Sequence, residues 1–132
     1  MSHFERQIFK LDRLAKAGSH ALALVGSLSL IEGLLRLFVP RRRGKGKNLA
    51  GLVSLIDRDG ESHQVRSDID QLRGIRNDFV HMEAYAKASG MLPYEIVDLD
   101  LDSLVQPEDA EMAIHCAWYI YRMANSGMLN KA

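Results

Sequence analysis

The chain has one cysteine, Cys116, in 132 residues. An intrachain disulfide is therefore excluded, and so is a zinc site built from the cysteines of one chain. Net charge is also lacking, since 17 Lys and Arg balance 17 Asp and Glu. Any attraction to a polyanion must come from a local patch rather than from the global field. No internal repeat, low-complexity tract, phosphate-cradling glycine loop, local Ser–His–Asp order or aromatic-rich RNA platform can be read along the chain. His3, His20, His63 and His115 have no acidic or histidine partner at ligand spacing, so neither a metal nor another cofactor is expected. The opening residues, MSHFERQIFK, mix charges from the start and carry no export-signal pattern. Together with the single thiol, this sets a reducing, cytoplasmic location as the expectation. Cys116 itself, beside His115 with no third partner in view, reads as a buried inert thiol.

What is present is ordinary globular material, 47% hydrophobic and 26% charged. It suffices for one core and one domain over residues 1–132. The longest apolar run, Ala21 to Val39, precedes three arginines, as a membrane span could. Glu32 and Arg36 argue for a core helix instead, because each charge costs a few kcal/mol at the centre of a bilayer. They stand one turn apart and can pair.

Periodicity predicts about five helices and an all-α compact bundle. Residues 4–17 place Phe4, Ile8, Leu11 and Ala15 on one stripe, and Gly18 stops the run. Ser19 is the expected N-cap of the apolar helix that Pro40 ends. RRRGKGK, residues 41–47, reads as a basic, glycine-punctuated loop, and NLAGLVSLI, 48–56, as a short apolar helix closed by Asp59-Gly60. Ser67, with Asp70 three residues on, is the expected cap of a helix running to about Lys87. Residues 90–106 form a long acidic loop whose stretch 94–104 alternates as an extended segment would. Pro107 opens the last helix, with Glu108 and Asp109 suiting its N-terminus. That helix buries a face from Ala110 to Ala124, and Gly127 ends it.

The helix after Ser67 departs from normal patterning. At about 100° per residue, Leu72, Ile75, Phe79 and Met82 form an apolar arc that Ile69 and Val80 extend. Arg76 falls inside that arc, between Leu72 and Ile69, where an arginine is expensive unless its charge is paired or used. Asp70, Arg73, Asn77 and His81 line a polar edge beside the arc. Asn77 and His81, four apart, can touch. Arg76 and His81, five apart, diverge by about 140°. Either the arginine bends round, or a site using both is assembled from two chains. Glu32 is a candidate holder of the Arg76 guanidinium, although spacing favours Arg36 as its partner.

The segment LRGIRNDFVH, Leu72 to His81, resembles the signature helix of the HEPN superfamily (higher eukaryotes and prokaryotes nucleotide-binding domains). That signature is an arginine, often followed by a polar residue, with a histidine four to six residues on. Arg76, Asn77 and His81 occupy those places. The resemblance implies a metal-independent endoribonuclease, of toxin, defence or RNA-processing kind, leaving 2′,3′-cyclic phosphate and 5′-hydroxyl ends. It also implies a homodimer with two motifs facing one cleft, and a protein antitoxin such as a small nucleotidyltransferase as a partner. Some members carry a tyrosine two residues after the histidine, where this chain has Glu83.

The chemistry fits the residue types. Histidine titrates near neutrality and serves as acid or base. Arginine stays charged and forks onto phosphate oxygens. Asn77 can orient His81 or hold a phosphate. Arg41, Arg42, Arg43, Lys45 and Lys47, with Arg73 beside the motif, are the candidate RNA contacts. Two other classes compete: a non-catalytic HEPN-like module binding RNA or a protein, and an assembly or regulatory subunit in which Arg76 anchors a structural salt bridge.

Overall fold

The computed structural model of the chain describes residues 2–88, 90 and 101–132; for 79–88, 101 and 103 it describes the backbone alone. Its helices are α1 (His3–Lys16), α2 (His20–Phe38), α3 (Arg41–Gly44), α4 (Leu49–Ser54), α5 (Gly60–Ala88) and α6 (Pro107–Asn125). Single 3₁₀ turns at Leu101–Leu104 and Met128–Lys131 complete the order. Among the described residues there is no strand. The expected all-α bundle is what forms.

The apolar run became α2, and its composition dictates its place. It is 19 residues long with a mean hydropathy of 1.7, enough by length and composition to cross a bilayer. Here Leu24, Leu28, Ile31, Leu34 and Leu35 are fully buried in the protein core. Each such side chain contributes about 1.5–3 kcal/mol when removed from water. The helix packs most extensively on α6 and also meets α1, α4 and α5. Gly26 lets α1 come close, since a Cβ there would stand 2.5 Å from Leu11 Cδ2. From α6 the core receives Ala110, Ala113, Cys116, Ala117 and Ile120, and from α5 Val65, Ile69 and Leu72.

Contacts between the ends set the directions. Phe4 of α1 meets Phe38 of α2, their ring centroids 6.2 Å apart. Tyr121 of α6 donates to Glu5 of α1 at 2.7 Å. The start of α1 therefore shares one end of the bundle with the C-terminal ends of α2 and α6. At the opposite end, Asp102, just before α6, accepts a 2.8 Å hydrogen bond from the Ala21 amide at the start of α2. So α2 and α6 run parallel, and α1 runs against both. Tyr119 near the end of α6 lies against Ser62 at the start of α5, so α5 also runs against them. Burial, then nearby Asp59 and Glu61, pushes the Tyr119 phenol above its ordinary pKa.

Three local expectations are corrected. Ser67 does not start a helix. The helix begins seven residues earlier, where the Ser62 amide donates to Asp59 Oδ1 and the Asp59 amide donates to Ser62 Oγ, both at 2.9 Å. This reciprocal box satisfies two amides at once, and it lies inside the Asp59-Gly60 pair that reads locally as a turn. Ser19 precedes α2, but its side chain makes no capping bond; Asp102 does that work from 81 residues away. The basic segment is not all loop, because Arg41–Gly44 form one helical turn behind Pro40. Asn48 caps α4 through the Gly51 amide, Pro107 opens α6 with Asp109 accepting from the Gln106 amide, and Gly127 ends it at φ +80. Residues 91–100, most of the expected acidic loop, lie outside the described residues.

Two predictions follow from the caps. Asp102→Ala should lower unfolding stability by about 1 kcal/mol, as the loss of an N-terminal acceptor does, whereas Ser19→Ala should change it by less than about 0.5 kcal/mol; urea midpoints distinguish them. Asp57 accepts from Arg66 at 2.9 Å and faces His63 at 3.3 Å, and the Arg66 bond leads in holding its carboxyl below the usual 3.8. Hydrogen bonds from Ser62 do the same for Asp59. Because these folded carboxyls bind protons less tightly than unfolded ones, their stabilisation is complete above the ordinary carboxylate value and is lost as pH falls through the lower folded value. Acid titration should show stability falling below about pH 4, with a shallower fall in Asp57→Asn.

Candidate functional site

The motif helix spans 29 residues, about 43 Å at 1.5 Å per residue. Its first half is held against the core by Val65, Ile69 and Leu72, at 2% exposure or less. Ile75, the next member of that stripe, is half-buried and packs on the core edge. Arg76 beside it is half-buried as well, while Asn77 and Asp78 are exposed. The arginine thus sits where the buried stripe gives way to solvent. This is the usual compromise for a long cationic side chain. No salt bridge joins Arg76 to another described residue. Arg73 pairs with Asp70 at 3.3 Å along the same helix. The His81 side chain lies outside the described residues, although its backbone continues the helix. The arrangement expected of Arg76, Asn77 and His81 is therefore seen for its first two members only.

Glu32 is engaged elsewhere. Its carboxylate lies 3.7 Å from Arg36, the i,i+4 partner that spacing favoured. Counting turns from the aligned ends of α2 and α5 puts Glu32 and Arg76 on the order of 15 Å apart along the bundle. The alternative of Glu32 as holder of Arg76 is not what forms.

The basic segment is also apart from the motif. Arg41, Arg42, Arg43, Lys45 and Lys47 are all exposed, and they follow the C-terminal end of α2. That end lies beside the start of α5, and Arg76 is fourteen residues beyond Ser62, about 21 Å along the helix. Within one chain, the basic segment and the motif occupy opposite ends of the bundle, and of the candidate RNA contacts only Arg73 stands beside the motif. A single RNA-gripping surface that includes both would need a long ligand or a second chain.

Two concavities flank the end of α2 near the basic segment. One, of about 230 Å³, is lined by Leu35, Arg36, Val39, Arg41, Lys45 and Leu52 among others. The other, of about 320 Å³, is lined by Ser2, Phe4, Phe38, Tyr121, Ala124 and Asn125. Its aromatic rings come from three helices, and so no local motif announces it. Sequence signals that could have hinted at it are Phe38, three positions before the basic run, and Tyr121 on the α6 face. A third concavity of about 420 Å³ lies along α1 at Arg6, Phe9 and Lys10. Among the described residues no three His, Cys, Asp or Glu cluster as a metal site would.

Cys116 is fully buried. Burial first, and then nearby Asp68, pushes its thiol up to about 12, so the thiolate needed for chemistry is scarce at neutral pH. In the folded protein Cys116 should resist a thiol reagent such as DTNB and react stoichiometrically in denaturant. Rapid labelling without unfolding would contradict its burial. Comparison with known proteins gives no relative from which to carry residues over: no family model, no curated protein and no solved structure matches the chain.

Proposed function

We propose that the chain is a metal-independent endoribonuclease of HEPN type, acting as a homodimer, with Arg76 and His81 as its catalytic pair and Asn77 beside them. The observation that carries this reading is Arg76 itself. It is half-buried at the margin of the core, directly after the stripe of Ile69, Leu72 and Ile75, and makes no salt bridge to another described side chain. Retaining a cation there is what a phosphate-binding role requires, and the sequence around it carries the HEPN-like pattern.

In this reading one His81 takes the proton of the ribose 2′-hydroxyl as its oxygen attacks the adjacent phosphorus. The His81 of the second copy gives a proton to the departing 5′-oxygen. The Arg76 guanidiniums hold the charge that builds on the phosphorane oxygens. The new bond is 2′-O–P and the broken one P–5′-O, so a 2′,3′-cyclic phosphate and a 5′-hydroxyl result. A cytoplasmic setting and a small nucleotidyltransferase antitoxin belong to the same proposal.

A second reading, a non-catalytic module that binds RNA or a partner protein, is favoured by one observation: the exposed basic segment stands apart from the motif. The two separate cleanly. With single-stranded RNA in EDTA, the wild-type protein should cut, and His81→Ala should cut on the order of 10²-fold more slowly or worse. Arg76→Leu should also lose cleavage while its melting temperature holds or rises, because apolar area replaces a charge at the core edge. Equal cleavage by all three proteins would overturn the catalytic assignment. Absence of cleavage by the wild type, with binding lost on neutralising 41–47, would establish the second reading in its place.

A further inference from the structure

The end of the bundle away from Arg76 combines two features that the chain keeps far apart. Between Arg36 and Lys47 there are six Lys and Arg and no Asp or Glu. Arg36, Arg41 and Lys45 of this set line the cavity of about 230 Å³ on one side of the last turn of α2. Phe38, in that same turn, belongs to the notch of about 320 Å³ on the other side. Arg41 follows Phe38 by three positions, so their Cα atoms lie within about 11 Å. Cationic and aromatic surfaces therefore adjoin across one helical turn.

The notch mixes polar Ser2 and Asn125 with Phe4, Phe38, Tyr121 and Ala124. Phe4 and Phe38 meet edge to face at 68°, and both are only half-buried, so each keeps ring surface open to a further planar group. Tyr121 is fixed by its bond to Glu5 at 2.7 Å and its contact with Ser2 Oγ at 3.0 Å. The Glu5 carboxylate is thereby already engaged. Exposed Asn125 offers both a donor and an acceptor. The volume is at the small end of the range for ligand pockets, fitting one planar ring system rather than a folded partner.

We propose that this end of the molecule binds single-stranded RNA, one base seated in the Phe4–Phe38–Tyr121 notch and the flanking phosphates held by Arg41 and Lys45. Stacking platforms beside a basic track are how proteins hold single strands without reading long sequences. The C-terminal ends of α2 and α6 oppose an anion here, but each carries only about half a unit of negative charge. The five exposed cations of 41–47 outweigh them. A bilayer surface fits less well. Insertion would take the Glu5–Tyr121–Ser2 network out of water, and Phe4, Phe38 and Tyr121 are half-buried rather than exposed. The inference deepens the RNA-binding part of the reading above and does not depend on the chemistry at Arg76 and His81.

The test uses the full chain and a 12-nucleotide 2′-O-methyl oligouridine, which cannot be cut because the attacking oxygen is blocked. Binding is followed by anisotropy over a salt series and by emission of Trp118, whose ring lies 6.0 Å from Tyr121. Wild-type protein should bind, with Trp118 emission changing, and a duplex of equal length should bind more weakly. Arg41→Gln with Lys45→Gln should reduce the magnitude of the log–log salt slope by about 1.4, the value for two single-strand phosphate contacts. Phe38→Leu should weaken binding about 5- to 150-fold, the range for one stacked base, with the salt slope unchanged. Asn125→Asp, an exposed change that keeps the fold, should weaken binding roughly several-fold by repelling the backbone.

Wild-type-like binding by both Phe38→Leu and Asn125→Asp would overturn the proposal, as would equal binding of duplex and single strand. Where Phe38→Leu fails to fold, as circular dichroism reports, Asn125→Asp decides alone. Binding to vesicles containing one-third anionic lipid, without binding to the oligonucleotide, would also overturn it and identify a lipid surface. Loss of cleavage chemistry with this binding intact would count only against the ribonuclease reading. Intact cleavage without this binding would count only against the notch.

Discussion

Everything in the bundle depends on covering α2. With a mean hydropathy of 1.7 it carries a leucine-rich face, Leu24, Leu28, Ile31, Leu34 and Leu35, while Ser29, Gly33 and Arg36 stay exposed on the other side. In water, such a helix is stable only when other helices cover that apolar face. The main cover is α6, a helix some seventy residues later in the chain that presents small residues, Ala110, Ala113 and Ala117, to a leucine-rich neighbour. α1 and α5 then close the two flanks of this parallel pair. A parallel pair cannot be joined by a tight turn, because the chain must return the length of the bundle. The return is made by α5, and that requirement explains why the motif helix begins beside the end of α2 and runs back past its start.

The same return separates the two candidate functional regions. The basic residues follow α2 directly and stay at its C-terminal end. Arg76 is carried about 21 Å up the bundle by the helix that begins beside them. One end then offers exposed cations with half-buried aromatic rings, and the other offers an arginine at the margin of the core. In the proposed reading these are a place to hold RNA and a place to cut it. The two are related across the length of a bundle rather than within one pocket.

Helix ends show where short-range rules succeed and where they fail. Asn48, Pro107, Gly18 and Gly127 act within a few residues of themselves, and each is legible by eye. Asp59 and Ser62 were legible in principle, but the Asp-Gly pair also suits a turn, and the long helix won because Ser62 and Val65 continue its buried face. The cap on α2 was not legible at all. Asp102 lies in an acidic stretch with no local pattern, and only the packing of α6 beside α2 delivers it to Ala21.

Composition and periodicity by themselves determined the helical class, the core helix, the stripes on α1 and α6, the inert burial of Cys116, and the oddity of Arg76 inside an apolar arc. These follow from the 3.6-residue period and from the cost of burying charge, both of which act along a single segment. Tertiary structure alone decided that the basic segment and the motif part company, and that Phe4, Phe38 and Tyr121 meet. The physical reason is one of range. A residue's own helix sets which way its side chain faces, but what it faces depends on the directions of the helices around it, and no local pattern encodes those.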